Sequence, residues 1–154
     1  MIIDNDELMM RRCLELGRRA LENGDAPIGS IVARNNQIIA EAIEAVKQTT
    51  DPTAHAEILA IRQACAKHKT LDLSDCVLYT NVEPCWMCAY AVRQTRVSRI
   101  CFGSSNTRIG GASSKFTILT DDNLKTPLPI IQAAILIEDC DALLIEFEKR
   151  RKDQ

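Results

Sequence analysis

Asp51-Pro52-Thr53-Ala54-His55-Ala56-Glu57 and Glu83-Pro84-Cys85-Trp86-Met87-Cys88 are the two stretches from which the rest of the chain can be read. Each joins a helix-start signal to side chains that bind metals. Asp51 before Pro52 reads as an N-cap with proline at the first helical position, opening a helix over Ala54 to Lys67. Glu83-Pro84 repeats the signal for a helix through Cys85 to about Gln94. Between them Cys76 to Thr80 is short, apolar and partly β-branched, which predicts a buried strand. Helix, buried strand and helix in that order imply helices layered on a sheet.

Outward from this centre the pattern continues. Met10, Cys13, Leu14, Gly17, Ala20 and Leu21 fall at helical spacing within Asp6 to Asn23, and Gly24 supplies a stop. Ile28 to Ala33 and Gln37 to Ala42 flank Arg34-Asn35-Asn36 as a hairpin. Arg99 to Phe102 and Ile130 to Ile137 read as strands, and Asp139 to Arg151 as a terminal helix. Residues 103 to 129 are the least regular, with a short helix near Phe116 to Leu119. The expected architecture is α/β, a mixed sheet of about five strands flanked by helices, in one domain spanning residues 1–154.

The chemistry lies in the two quoted stretches. One imidazole, His55, and two thiols, Cys85 and Cys88, make a zinc ligand set, three protein ligands leaving a fourth position for water as catalytic sites do. Cys85 and Cys88 stand three apart, on one helical face. Helix N-termini at both stretches favour thiolate and offer free N–H groups. Glu57 is the candidate to shuttle the water's protons, as a general acid and base. Two other readings compete: a redox Cys-x-x-Cys pair, for which no thioredoxin-like context exists, and a structural zinc closed by His68, which sits between two lysines as a helix-end residue would.

Composition bounds the partners. Hydrophobic residues at 46% and charged residues at 26% suit a globular chain, with no apolar run long enough for a bilayer. The acidic start, Met1 to Glu7, lacks the features of a signal peptide, so a cytoplasmic location is expected. Cys13, Cys65, Cys76, Cys101 and Cys140 stand singly among apolar neighbours and read as reduced core cysteines. A net charge of −2 gives no global basic field for nucleic acid, although Lys149-Arg150-Arg151-Lys152 is a local run.

His-x-Glu with Pro-Cys-x-x-Cys is the signature of zinc-dependent nucleobase deaminases. The chain resembles the cytidine deaminase-like superfamily over nearly its whole length, in the branch of bacterial guanine deaminases and tRNA-specific adenosine deaminases; Ala26-Pro27-Ile28-Gly29 matches that branch's entry to its first strand. The resemblance implies a three-layer α/β/α sandwich, a homodimer with sites near the interface, one zinc per chain on His55, Cys85 and Cys88, and Glu57 as proton shuttle. It also implies substrate contacts at Ala56, Asn106 and the position held by Glu44.

Within the branch the signals diverge. Phe102-Gly103, Ile109-Gly110-Gly111-Ala112-Ser113 and the ending from Cys140 to Arg151 are similar to the tRNA-acting enzymes. Relatives usually place an Asn where this chain has Glu44, and tRNA enzymes an Asp where it has Asn106; the aromatic ending associated with guanine deaminases is missing. A carboxylate only accepts hydrogen bonds, so Glu44 in the pocket favours a base presenting extra N–H donors; the alternative is a solvent-facing Glu44. Trp86 reads as a packing residue. These features predict a zinc hydrolase acting on a cyclic amidine C–N bond, removing an exocyclic amine from a free purine-like base or related aminated heterocycle and releasing ammonia. On this reading the partner is a small aminated base, with tRNA possible but less favoured and no membrane. The alternatives are a tRNA-specific adenosine deaminase forming inosine, and a non-catalytic deaminase-like binding subunit, against which the retained Glu57 argues.

Overall fold

Successive side chains of strand β1 (Gly29–Arg34) serve different layers. Ile31 and Ala33 join one buried cluster, while Val32 joins another on the opposite face. The same alternation runs through β3 (Cys76–Val82), with Leu78 and Tyr79 on opposite faces, and β4 (Arg99–Ser104), with Ile100 and Phe102 opposed to Cys101. The central strands are therefore apolar on both faces, and each face needs a helical cover. Helix α1 (Asp4–Glu22) covers one face with Met9, Met10, Cys13 and Leu16, joined by Cys140 of α5 (Ile137–Lys152). Helices α3 (Ala56–His68) and α4 (Trp86–Gln94) cover the other with Ala60, Ile61, Ala64, Ala89 and Val92.

These relations belong to a computed structural model, which describes residues 4–154. Met1, Ile2 and Ile3, part of the acidic start read from the sequence, lie outside the described residues. The sheet order is β2-β1-β3-β4-β5, with β2 at Gln37–Ile43 and β5 at Ile130–Gln132. β1 runs antiparallel to β2 and β3; β3, β4 and β5 are mutually parallel. This is the expected three-layer α/β/α arrangement with a mixed five-stranded sheet. The hairpin turns at Asn35 and Asn36, both at positive φ (51° and 61°), the conformation that two-residue hairpins require. Asp6 of α1 accepts both guanidinium N–H groups of Arg99, at 2.8 and 2.7 Å, and the Tyr79 hydroxyl at 2.8 Å, tying the first helix to β3 and β4.

Two expectations need correction, and one element was missed. Asp51 does not cap α3: its carboxylate accepts the Thr53 N–H at 2.8 Å and hydroxyl at 2.7 Å, a local turn, and the helix begins at Ala56 with His55 as N-cap. The last strand stops at Gln132 instead of running to Ile137, because Ala134 and Leu136 adopt positive φ (63° and 50°) and leave the extended region. A four-residue helix, α2 (Val46–Thr49), went unread. Its N-terminal N–H groups at Lys47 and Gln48 donate to Asp25 at 2.7 and 3.1 Å, a cap from a distant residue that no local pattern reveals. All seven cysteines are free, with Cys13, Cys76, Cys101 and Cys140 buried and Cys65 half-buried. Among the described residues no helix is long and apolar enough to cross a membrane.

Candidate metal centre

The N-terminus of α3 and the carboxyl end of β3 meet at one point. His55 and Cys85 occupy equivalent places there, each as the extended N-cap of the helix that follows. One turn into α4, Cys88 comes up beside Cys85, their sulfurs 3.7 Å apart. His55 Nδ1 lies 3.6 Å from each sulfur. These spacings allow a direct test of fit. With zinc–sulfur bonds of about 2.3 Å and zinc–nitrogen bonds of about 2.05 Å, tetrahedral angles give edges of about 3.8 Å (S–S) and about 3.6 Å (S–N). The three donors stand at those edges, so they fit three corners of a zinc tetrahedron. Cys85 and Cys88 are buried and His55 partly so.

Glu57 and Glu44 complete the cluster, with Glu44, His55 and Glu57 offering donor atoms within 4.8 Å of one another. Glu57 is held by Thr80, whose hydroxyl donates to Oε1 at 3.0 Å; Cys88 Sγ lies 3.6 Å from Oε2. Glu44 is 5% exposed, which excludes the solvent-facing alternative, and its Oε1 accepts the Ala56 N–H at 2.7 Å. Two of the N–H groups expected to be free at the helix starts are therefore taken: Ala56 donates to Glu44, and Trp86 to the Ile109 carbonyl at 3.1 Å. Ala56 meets Glu44 instead of presenting its N–H to a ligand. Asn106 is likewise occupied: its side-chain oxygen accepts the Ile109 N–H at 3.2 Å, so the carboxamide caps its own loop. Trp86 packs on Phe116, ring centroids 4.7 Å apart, and remains half exposed.

The electrostatics within the cluster favour one thiolate. The hydrogen bond from Cys88, with burial opposing it and His55 adding to it, brings Cys85 down to about 4. Cys88 is pushed up by its bond to Cys85 and by burial. The hydrogen bond to Cys85 raises His55 to about 9. Burial raises Glu57, and burial with the neighbouring Glu57 charge raises Glu44 to about 8. A bound dication draws all of these values down, because it becomes the largest local charge.

Two residues of the site were not singled out from the sequence. Thr80 shares the α3-facing side of β3 with Leu78, and a polar residue in that register was the available signal. Glu83 was read only as part of a helix start, whereas its carboxylate gathers the backbone of residues 106–114.

Comparison with known proteins agrees with this geometry. A tRNA-specific adenosine deaminase of Aquifex aeolicus is 35% identical over 147 residues, covering 96% of each chain. A chain solved in a study of A-to-I editing by tRNA:A34 deaminases at the wobble position of transfer RNA superposes with a TM-score of 0.85 at 28% identity, covering 89% of this chain and 99% of that one. The guanine deaminase from Nitrosomonas europaea superposes at 0.79 with 26% identity, covering 93% and 84%. The ranking of a free aminated base above tRNA is overturned by these relatives. Its premises were the net charge, Glu44 and Asn106, and a sum over the surface says nothing of local cations: Lys47, Arg150 and Arg151 line one groove, together with Glu22, Leu21 and Phe147. The model of the cytidine and deoxycytidylate deaminase zinc-binding region matches residues 3–104. With its donors at the corners of a zinc tetrahedron and a buried carboxylate beside them, the chain belongs to that deaminase family, whose zinc-dependent members hydrolyse the amine from a base.

Proposed function

We propose that this chain deaminates adenosine in tRNA, converting the wobble adenosine of an anticodon loop to inosine with release of ammonia. The observation that carries the reading is full-length similarity to a tRNA-specific adenosine deaminase, 96% of both chains at 35% identity. The groove shared by Lys47, Arg150 and Arg151 supports it, since phosphate contacts need local cations and not a basic protein overall.

His55, Cys85 and Cys88 hold the zinc, which when bound supplies Lewis acidity and lowers the pKa of water. The remaining work falls to the chain. Glu57 takes a proton from the attacking water at a carboxylate oxygen and delivers it to the ring nitrogen beside C6; it then takes the remaining proton from the added hydroxyl and passes it to the departing amine, which leaves as ammonia. Burial raises Glu57 above the ordinary carboxylate range, which favours its protonated form relative to a solvent-exposed glutamate. Thr80 holds the other oxygen so that the carboxylate keeps one direction through the cycle. Glu44, its Oε1 fixed by the Ala56 N–H, stands beside His55 and Glu57, where a base brought to the metal comes within its reach.

An inosine assay tests the reading. Zinc-loaded protein is incubated with an anticodon stem-loop RNA carrying adenosine at the wobble position, and with free guanine as a comparison. Inosine formation with binding that weakens steeply with salt is expected. Ammonia from guanine and none from the RNA overturns it. In the same assay Glu44→Asn is expected to change KM for the RNA; an unchanged KM removes Glu44 from the pocket.

A further inference from the structure

Glu83 precedes the metal-binding motif and belongs to neither group of candidate donors. It is 1% exposed, yet no cation pairs with it among the described residues. Its five partners come instead from one loop. Oε2 accepts the N–H groups of Ala112, Ser113 and Ser114 at 3.1, 3.3 and 3.2 Å. Oε1 accepts the Asn106 N–H at 3.2 Å and the Ser114 hydroxyl. Every group around the carboxylate is a donor, so the position calls for a side chain that only accepts.

The same loop is fastened to the residues on either side of Pro84. Glu83 N–H donates to Ser104 at 2.7 Å, Gly111 N–H to Pro84 at 2.8 Å, and Trp86 N–H to Ile109 at 3.1 Å. Gly110 lies so close that a Cβ there would overlap the Glu83 carboxylate. The backbone thus wraps the buried anion and then crosses directly over the helix start that carries Cys85. Ser105, Thr107, Arg108 and Ile109 point outward from this wrapped segment.

We propose that Glu83 is a positioning residue: its buried carboxylate templates the loop 105–114 against the metal-binding motif, so that the loop's exposed side chains meet the nucleic acid in one fixed arrangement. The carboxylate acts through the loop and touches no reacting atom. The part of the proposal that concerns substrate rests on the tRNA reading; the part that concerns the loop does not. A glutamine in its place sets an NH2 group against backbone donors, and an aspartate falls one methylene short of them.

The test uses full-length, zinc-loaded protein and the variants Glu83→Gln and Ser114→Ala. Hydrogen exchange is followed at the amides of residues 106 and 112–114, alongside zinc content and steady-state kinetics on the stem-loop RNA. In Glu83→Gln the loop amides are expected to exchange about tenfold faster or more while the β3 and β4 amides keep their protection. Zinc stays at about one per chain, and KM rises about tenfold with kcat within about threefold. Ser114→Ala, which keeps the charge and loses one donor, moves KM and loop exchange in the same direction by less. Unchanged exchange and KM in Glu83→Gln overturn the proposal. So does a parallel fall of kcat, zinc content and strand protection, which marks a merely structural role. If Glu83→Gln does not fold, loop exchange and KM in Ser114→Ala decide, both unchanged overturning the proposal. If the wild-type chain leaves RNA untouched, the tRNA reading fails by itself and loop exchange still decides the role of Glu83.

Discussion

Glu57 shows how much one side chain depends on its surroundings. A glutamate two residues after a metal-binding histidine does not share its face on a regular helix; here His55 is the extended N-cap and Glu57 lies in the first turn. What suits it to proton transfer is burial, which raises its pKa, and the Thr80 hydroxyl, which fixes its direction. Glu57→Gln keeps the shape and the hydrogen bond but removes the titrating oxygen. Its turnover is expected to fall by about 10²-fold or more, with zinc content unchanged by elemental analysis. Near-normal inosine formation in that variant removes Glu57 from proton transfer. Glu44 carries the opposite lesson. The sequence marked it as a departure from relatives but left its direction open; only the register of β2 and the start of α3 turn it inward onto Ala56.

At the scale of elements, two of the ion pairs that hold α1 differ in kind. Asp6 is buried against Arg99 and Tyr79, so removing it takes the acceptor from a buried hydroxyl and a partly buried guanidinium. Asp6→Ala is expected to cost about 3–5 kcal/mol in urea unfolding; a cost below about 1 kcal/mol contradicts the assignment of that network as the anchor of α1. Arg12 and Glu41 join α1 to β2 nearer the solvent, at 2.6 Å, with about a third of each side chain exposed. The hydrogen bond from Arg12 holds Glu41 below its ordinary pKa against the opposing effect of burial. A carboxyl group with a lowered folded-state pKa stabilises above its unfolded value and loses that contribution as pH falls through the folded one. Glu41→Gln is therefore expected to cost about 0.5–1 kcal/mol at pH 7, after allowing for solvent screening. At a pH below the folded value, where Glu41 is neutral in both states, the difference vanishes. A difference that persists in acid refutes the ionic explanation.

Over the whole molecule, the metal centre joins the two helices of one layer to the middle of the sheet. His55 belongs to the start of α3 and the cysteines to the start of α4, so an ion on all three ties both helix starts to the end of β3. Binding only the folded state stabilises by mass action, about 4 kcal/mol at a thousandfold excess over Kd. Chelation is expected to lower the melting temperature, and stoichiometric zinc to restore it. Identical melting curves with and without the ion show that the three donors do not hold it in solution.

The sequence by itself determined the donor set and the layers. The apolar runs of β1, β3 and β4 and a helix beginning near each metal-binding stretch are local regularities, and local regularities survive in a one-dimensional record. His55, Cys85 and Cys88 needed only their spacing and chemistry to be found. Tertiary structure alone decided the rest. Thr80 reaches Glu57 across 23 positions, Asp25 caps α2 across 22, and Glu83 gathers a loop 23 to 31 positions away. A hydrogen bond between distant residues leaves no periodicity behind, because nothing in the covalent chain requires its two partners to be near until the sheet has formed between them.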